Sequence, residues 1–218
     1  MQLNSETVKF LDNSEILVTE ADFPVSIKLQ QMQEDAEKKP IEDAFQQEFN
    51  KLYPTLAACS SGDVPSFEKM FEMLGTSPDD VDNWYRAVRR LNPDWFNFDV
   101  LDEKIEKVKF RDGLALTVKD VRLPSVWYRL RKIETEEGKS VSEDPREQAF
   151  VWAIYPKLAG CSFGDVPTRE EAYHFPGTEL NKWYEVVKKL NPQLFKPIED
   201  AIADAKPTKK KETKPPKS

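Results

Sequence analysis

Two cysteines, one histidine and two repeated aspartates are the residues of this 218-residue chain whose types and spacing could do chemistry. A nucleophilic Cys59 or Cys161 would need a neighbouring base or cationic cluster to hold its thiolate. The single histidine, His174, stands in only one of the two segments that carry these cysteines. Zinc or iron would need a Cys-x-x-Cys pair or a His/carboxylate cluster, and the sequence has neither spacing. Asp63 and Asp165 occur in a segment read twice, Ala-x-Cys-Ser-x-Gly-Asp-Val-Pro, at residues 57–65 and 159–167. A lone carboxylate with no partner base, nucleophile or metal ligand has little means of acid–base work. The glycines form neither a phosphate-cradling loop nor a dinucleotide fingerprint. These residues predict a protein without cofactor, metal or catalytic centre. In it the cysteines fill apolar helix faces, and the aspartates either shape a turn or present loop carboxylates to a partner.

The elements that would position these residues also come twice. Tyr53-Pro-Thr-Leu-Ala-Ala-Cys-Ser-Ser-Gly-Asp-Val-Pro65 returns as Tyr155-Pro-Lys-Leu-Ala-Gly-Cys-Ser-Phe-Gly-Asp-Val-Pro167. Trp84-Tyr-Arg-Ala-Val-Arg-Arg-Leu-Asn-Pro-Asp-Trp-Phe96 returns as Trp183-Tyr-Glu-Val-Val-Lys-Lys-Leu-Asn-Pro-Gln-Leu-Phe195. A repeat of about 100 residues predicts a tandem duplication of one small domain: residues 1–100, then 101–199, with 200–218 as a tail. Each copy opens on alternating apolar residues, Val8, Phe10, Ile16 and Val18, then Val108, Phe110, Leu114, Leu116 and Val118. Side-chain parity demands a three-residue turn with Asn13 or Gly113 in the left-handed position. Helices should begin near Pro24 and Pro124, with stripes Val25, Leu29, Met32 and Val126, Leu130, Ile133. A second helix carries Ile41, Phe45, Phe49, Leu52 and Leu56, matched by Val151, Ile154 and Leu158, and Pro54 and Pro156 predict a kink or break within it. Gly62 and Gly164 read as helix C-caps. Ser66 and Thr168 read as N-caps, the latter with a capping box to Glu171. The last helix of the first copy should start at a Ser77 cap with Pro78 behind it and stop at Asn92-Pro93. The expected fold is α+β and mostly α, a β-hairpin followed by about four helices in each copy, with the junction at Asn97 to Glu106.

Charge narrows the partners. The net of −7 conceals a tail from Lys206 with six lysines against one glutamate, which leaves the body near about −12. An acidic body is repelled by phosphate backbones, and the tail is too poor in apolar residues to fold. The pairs Arg89-Arg90 and Lys188-Lys189 and the run Arg129 to Lys132 read as solvated faces and helix-end charges rather than a phosphate track. The first residues show no signal-peptide pattern and no run approaches the length of a membrane helix. With two cysteines read as reduced thiols, the expectation is a soluble, cytoplasmic protein.

The remaining candidates for contact are aromatic. Trp84-Tyr85 and Trp183-Tyr184 lie mid-helix, where one ring of each pair can face the core while its neighbour, about 100° away, reaches the surface. Such rings are enriched at binding hot spots. The expected partner-binding set is Trp84, Tyr85, Trp183, Tyr184, Asp63 and Asp165, with Trp95, Phe96 and Phe98 adding to the same surface or core.

An acidic protein that opens with Val-Lys-Phe-Arg-Asp-Gly-Leu-Ala-Leu-Thr-Val118 and continues with a Tyr-Pro-x-Leu-Ala-x-Cys helix and a closing Trp-Tyr-x-x-Val-x-x-Leu-Asn helix resembles the tail assembly chaperones of long-tailed bacteriophages and prophages. The resemblance covers residues 8 to 98 and 108 to 196. It implies a non-enzymatic protein that binds the tape-measure protein in the host cytoplasm, shields its apolar helices and recruits tail-tube subunits. It also implies that Lys209-Lys210-Lys211 lie near a slippery adenine run giving a longer frameshifted form. This chain departs from the single-copy family pattern in carrying two domains, and two linked modules on one client raise avidity. Two other classes compete. A nucleic-acid accessory protein would use the lysine tail and show steeply salt-dependent binding, and a structural or regulatory adaptor would differ only in its client.

Overall fold

The computed structural model describes residues 3–38, 44–96, 105–137 and 145–196. Strands β1 (Ser5–Lys9) and β2 (Glu15–Thr19) form the first hairpin, with Val8 opposite Ile16. That register puts Val8, Phe10, Ile16 and Val18 on one buried face. Asn13 closes the turn at φ 67° and Gly113 closes its counterpart at 95°, as the parity argument required. The second hairpin pairs β4 (Glu106–Lys109) with β5 (Ala115–Val118) in the same sense.

The helices follow in the same order in both halves. The first half has α1 (Phe23–Lys38), α2 (Ala44–Ala58), α3 (Phe67–Thr76) and α4 (Pro78–Leu91). The second has α5 (Pro124–Glu137), α6 (Pro145–Ala149), a π-helical turn at Phe150–Ile154, α7 (Tyr155–Gly160), α8 (Arg169–Tyr173) and α9 (Gly177–Leu190). The fold is thus α+β and mostly helical. Between α2 and α3 in the first half, and between α7 and α8 in the second, the sequence reading missed a short strand. Strand β3 (Ser60–Gly62) adds to β2, and β6 (Ser162–Gly164) adds to β5, making two three-stranded antiparallel sheets.

That strand corrects the reading of Gly62 and Gly164. Neither caps a helix, since α2 ends at Ala58 and α7 at Gly160. They close the added strands at φ 90° and 95°, where a Cβ would lie 3.0 Å from the carbonyl oxygens of Glu15 and Ala115. Prolines act differently in the two halves. Pro54 sits inside an unbroken α2, whereas the helix before Pro156 carries the π turn, one way of relieving a helix of an unwelcome residue. Ser66 and Thr168 cap as expected, Thr168 with a full capping box to Glu171. Ser77 occupies the cap position of α4 without a side-chain bond to it. Instead Asp80, in the first turn, accepts the backbone N–H of Leu11 from the hairpin turn, at 3.1 Å.

The halves match contact for contact at their centres. The Trp84 indole donates to Ser60 Oγ at 2.9 Å and Trp183 to Ser162 Oγ at 2.8 Å. The Tyr53 and Tyr155 hydroxyls donate to the carbonyls of Pro65 and Pro167. Asn92 and Asn191 each tie the end of the last helix to the hairpin's exit, accepting from Ala21 N and Val121 N at 2.6 Å. Lys28 on α1 and Arg129 on α5 reach the matching carbonyls of Ala57 and Ala159. The last pair fixes a helix correspondence: Ile27 matches Tyr128, and Phe23 matches Pro124.

One matched position differs by a methyl group. Ala58 of the first half is Gly160 in the second, where a Cβ would stand 2.7 Å from Leu130 Cα. Backbone must move to admit it, so overpacking of about 1–3 kcal/mol outweighs a helix-propensity gain of about 1 kcal/mol. Gly160→Ala is expected to lower the urea midpoint, with an unchanged m-value.

Of the expected junction from Asn97 to Glu106, residues 97–104, Phe98 among them, lie outside the described residues, as do Ile41 and the lysine tail from Lys206, while Glu106 already opens β4.

Candidate protein-binding surfaces

Both tryptophans are fully buried, which removes them from any surface. Their indoles pack edge-on against Phe10 and Phe110 beneath the sheets. Adjacent Tyr85 is also buried, against Phe96 at 5.3 Å, and Tyr184 is half-buried against Phe195 at 5.0 Å. The helix face that should have carried them outward is covered by the segment after Asn92 or Asn191, which folds back. Asp63 and Asp165 do lie on the surface just past β3 and β6, their backbone N–H groups bonded to Glu15 and Ala115 carbonyls. The rings and the aspartates therefore do not form one site.

The cysteines are inert by placement. Burial pushes the Cys59 thiol up to about 11, and Cys161, buried more deeply and near Asp120, is raised further. Both thiols point into the core as small apolar groups. Among the described residues no group of three or more His, Cys, Asp or Glu could hold a metal ion. No helix of the described residues is long and apolar enough to cross a membrane.

What the sequence reading missed is the seam between the halves, where the first half grips a helix of the second. Helix α5 packs on α3 and α4. Its Tyr128 ring stands among Phe45 at 5.2 Å, Phe71 at 5.5 Å and Phe49 at 6.0 Å. Trp127 meets Phe49 at 5.7 Å. A polar latch lies beside the rings. Asp82 of α4, fully buried, accepts Ser125 N at 3.0 Å, Ser125 Oγ at 2.6 Å and the Lys119 ammonium at 3.3 Å. Lys119 also pairs with the exposed Asp79, and Arg131 of α5 reaches Glu48 of α2 at 3.7 Å. Buried Arg89, read from sequence as part of a solvated pair, lies close enough to Asp120 to favour its charged form. Burial pushes the Asp120 carboxyl up, but bonds from Arg122 outweigh it and the group ends below its usual value. A signal for this seam was present in the repeat: Asp82 is Asn181 in the other copy and Lys119 is Thr19.

The seam has two sides, and each has an exposed counterpart. On the gripping side, Phe71 matches Tyr173, and Phe150, one residue before the Val151 that matches Phe49, supplies the ring beside it; the two rings are 5.6 Å apart against 5.8 Å for Phe49 and Phe71. Phe150 is buried, and beside Tyr173 a cleft of about 410 Å³ opens, lined by Glu147, Val151, Arg169, Glu170, Tyr173 and His174. Tyr173 is 38% exposed and nearby Trp152 53%. On the gripped side, α1 buries none of its residues. Ile27 and Phe23 stand 40% and 78% exposed, one turn apart on a single face.

No protein-family profile, no curated protein and no solved structure matches this chain.

Proposed function

We propose that this chain is a non-enzymatic binding protein that holds an amphipathic helix of a client, and that it serves as a tail assembly chaperone for a tape-measure protein. The observation that carries the reading is the seam itself. The first half already holds a helix by seating Tyr128 among three rings, and the second half presents the matching pair of helices with Tyr173, beside the buried Phe150, exposed at a cleft. Laying one apolar helix face into a groove is a common recognition mode, and a large apolar anchor in a pocket supplies most of its energy. The cleft is also edged by Arg169, His174, Glu147 and Glu170, which suits a helix whose flanks carry both signs of charge. The acidic body and the resemblance of the hairpin and closing helix to the phage chaperones support the client's class.

Coexpression with a phage tape-measure protein tests the reading. The client is expected to stay soluble and copurify, and Tyr173→Lys, at an exposed position, to lower recovery at least about tenfold, roughly 1.4 kcal/mol of binding. Equal recovery with Tyr173→Lys, or no copurification by the unaltered chain, sinks it.

A further inference from the structure

We infer that the chain associates head to tail with a second copy of itself, helix α1 of one molecule seating in the α6–α8 cleft of the next. The geometry repeats what the molecule does internally. Ile27 stands where Tyr128 stands in α5, and Phe23 one turn before it stands where Pro124 stands. That face is covered at the seam on α5, where Pro124 is buried and Tyr128 half-buried, and is open on α1. The cleft is lined by Tyr173, the counterpart of Phe71, one of the three rings that receive Tyr128. Charge agrees across the prospective contact: Arg89 on α4 and Asp120 just before α5, opposite in sign, have Lys188 and Glu20 as counterparts, again of opposite sign.

The outer contact differs from the inner one in strength. Its counterparts of Asp82 and Lys119 are Asn181 and Thr19, so the buried ion pair of the seam has a neutral replacement. Truncating a buried ion pair is strongly destabilising, whereas a neutral pair forms and separates without uncovering a charge. The internal seam is therefore fixed and the external one reversible. The two sides of the contact are different surfaces, so it is heterologous and does not close as a two-fold dimer. A client helix and the α1 of a neighbour compete for one cleft, but the association itself follows from the seam and holds whichever client is bound.

Complementation tests it. By light scattering, the unaltered full chain is expected to gain mass with concentration. Chains with Phe23→Glu and Ile27→Glu, which lack only the inserting face, and chains with Tyr173→Lys, which lack only the receiving one, should each stay monomeric. Mixed, they should give a heterodimer and nothing larger, because only one productive pairing remains. A second readout traps the contact covalently at high concentration: chains carrying Ile27→Cys and Tyr173→Cys should form intermolecular 27–173 disulfides, mapped by peptide mass. An unaltered chain that stays monomeric to about 1 mM, the weak end of specific binding, overturns the inference. So do a mixture that never pairs and disulfides joining only like positions, 27–27 or 173–173. Client copurification that fails while complementation succeeds removes the functional reading and leaves the association standing.

Discussion

Lys119→Ala is expected to lower the stability of the chain by about 3 kcal/mol, the lower part of the range for breaking a buried ion pair. Asp82 is fully buried and would keep the two bonds from Ser125 while losing its cation. The exposed Asp79 cannot replace it, since it is itself an anion. Asp82→Asn combined with Lys119→Thr, the residues found at the matched positions 181 and 19, is expected to cost less than Lys119→Ala alone. That double change removes both charges and leaves no ion buried without a partner. Urea unfolding of the single and double variants measures the coupling. A single variant within about 0.5 kcal/mol of the parent, the ordinary effect of a surface substitution, would show that the latch contributes nothing to holding the halves together.

Trp84→Ala and Trp183→Ala are each expected to cost about 3–5 kcal/mol, the range for removing a buried Trp or Phe side chain. Each removes the largest side chain of its core and takes the indole donor away from Ser60 or Ser162. Against a typical total of about 5–15 kcal/mol, either variant should be partly unfolded at 37 °C. The two values are expected to agree within about 1 kcal/mol, because each indole packs edge-on against a hairpin phenylalanine and donates to a serine hydroxyl. Trp84→Phe keeps most of the volume and isolates the hydrogen bond, for about 1–1.5 kcal/mol. Differential scanning calorimetry decides between this role and a surface one. Loss of partner binding with an unshifted melting temperature would restore the tryptophans as contact residues, against their burial.

The strand and helix order was readable in advance because each element carries its own local signal. Alternation fixed the hairpins, an odd loop fixed the left-handed Asn13 and Gly113, and the capping pattern of Thr168 and Glu171 placed the start of α8. Strands β3 and β6 were invisible for a physical reason. At three residues, with two of the three outside the core in each, they show no period, and they exist only because β2 and β5 offer an edge. The candidate site failed for a related reason. A helical position tells which way a ring points, but the chain returning after Asn92 covers Tyr85, and no periodicity announces that return. Tyr128 went unnoticed because it sits off the stripe of Val126, Leu130 and Ile133, on the face that a separate half of the molecule covers. Differences between matched positions, Asp82 against Asn181 and Lys119 against Thr19, were the available clue to the seam.

The seam also carries a consequence for how the molecule is born. Chains leave the ribosome from their N-terminus at about 5–20 residues per second, so α2, α3 and α4 are in place before α5 emerges. When α5 arrives, the rival receiving surface has not been made, because α8 comes later in the chain. The direction of translation thus steers α5 to the first of two look-alike docking places. A circular permutant that begins at the second hairpin would reverse that order of synthesis, and its nascent α5 would wait beside α8 with no first half to meet.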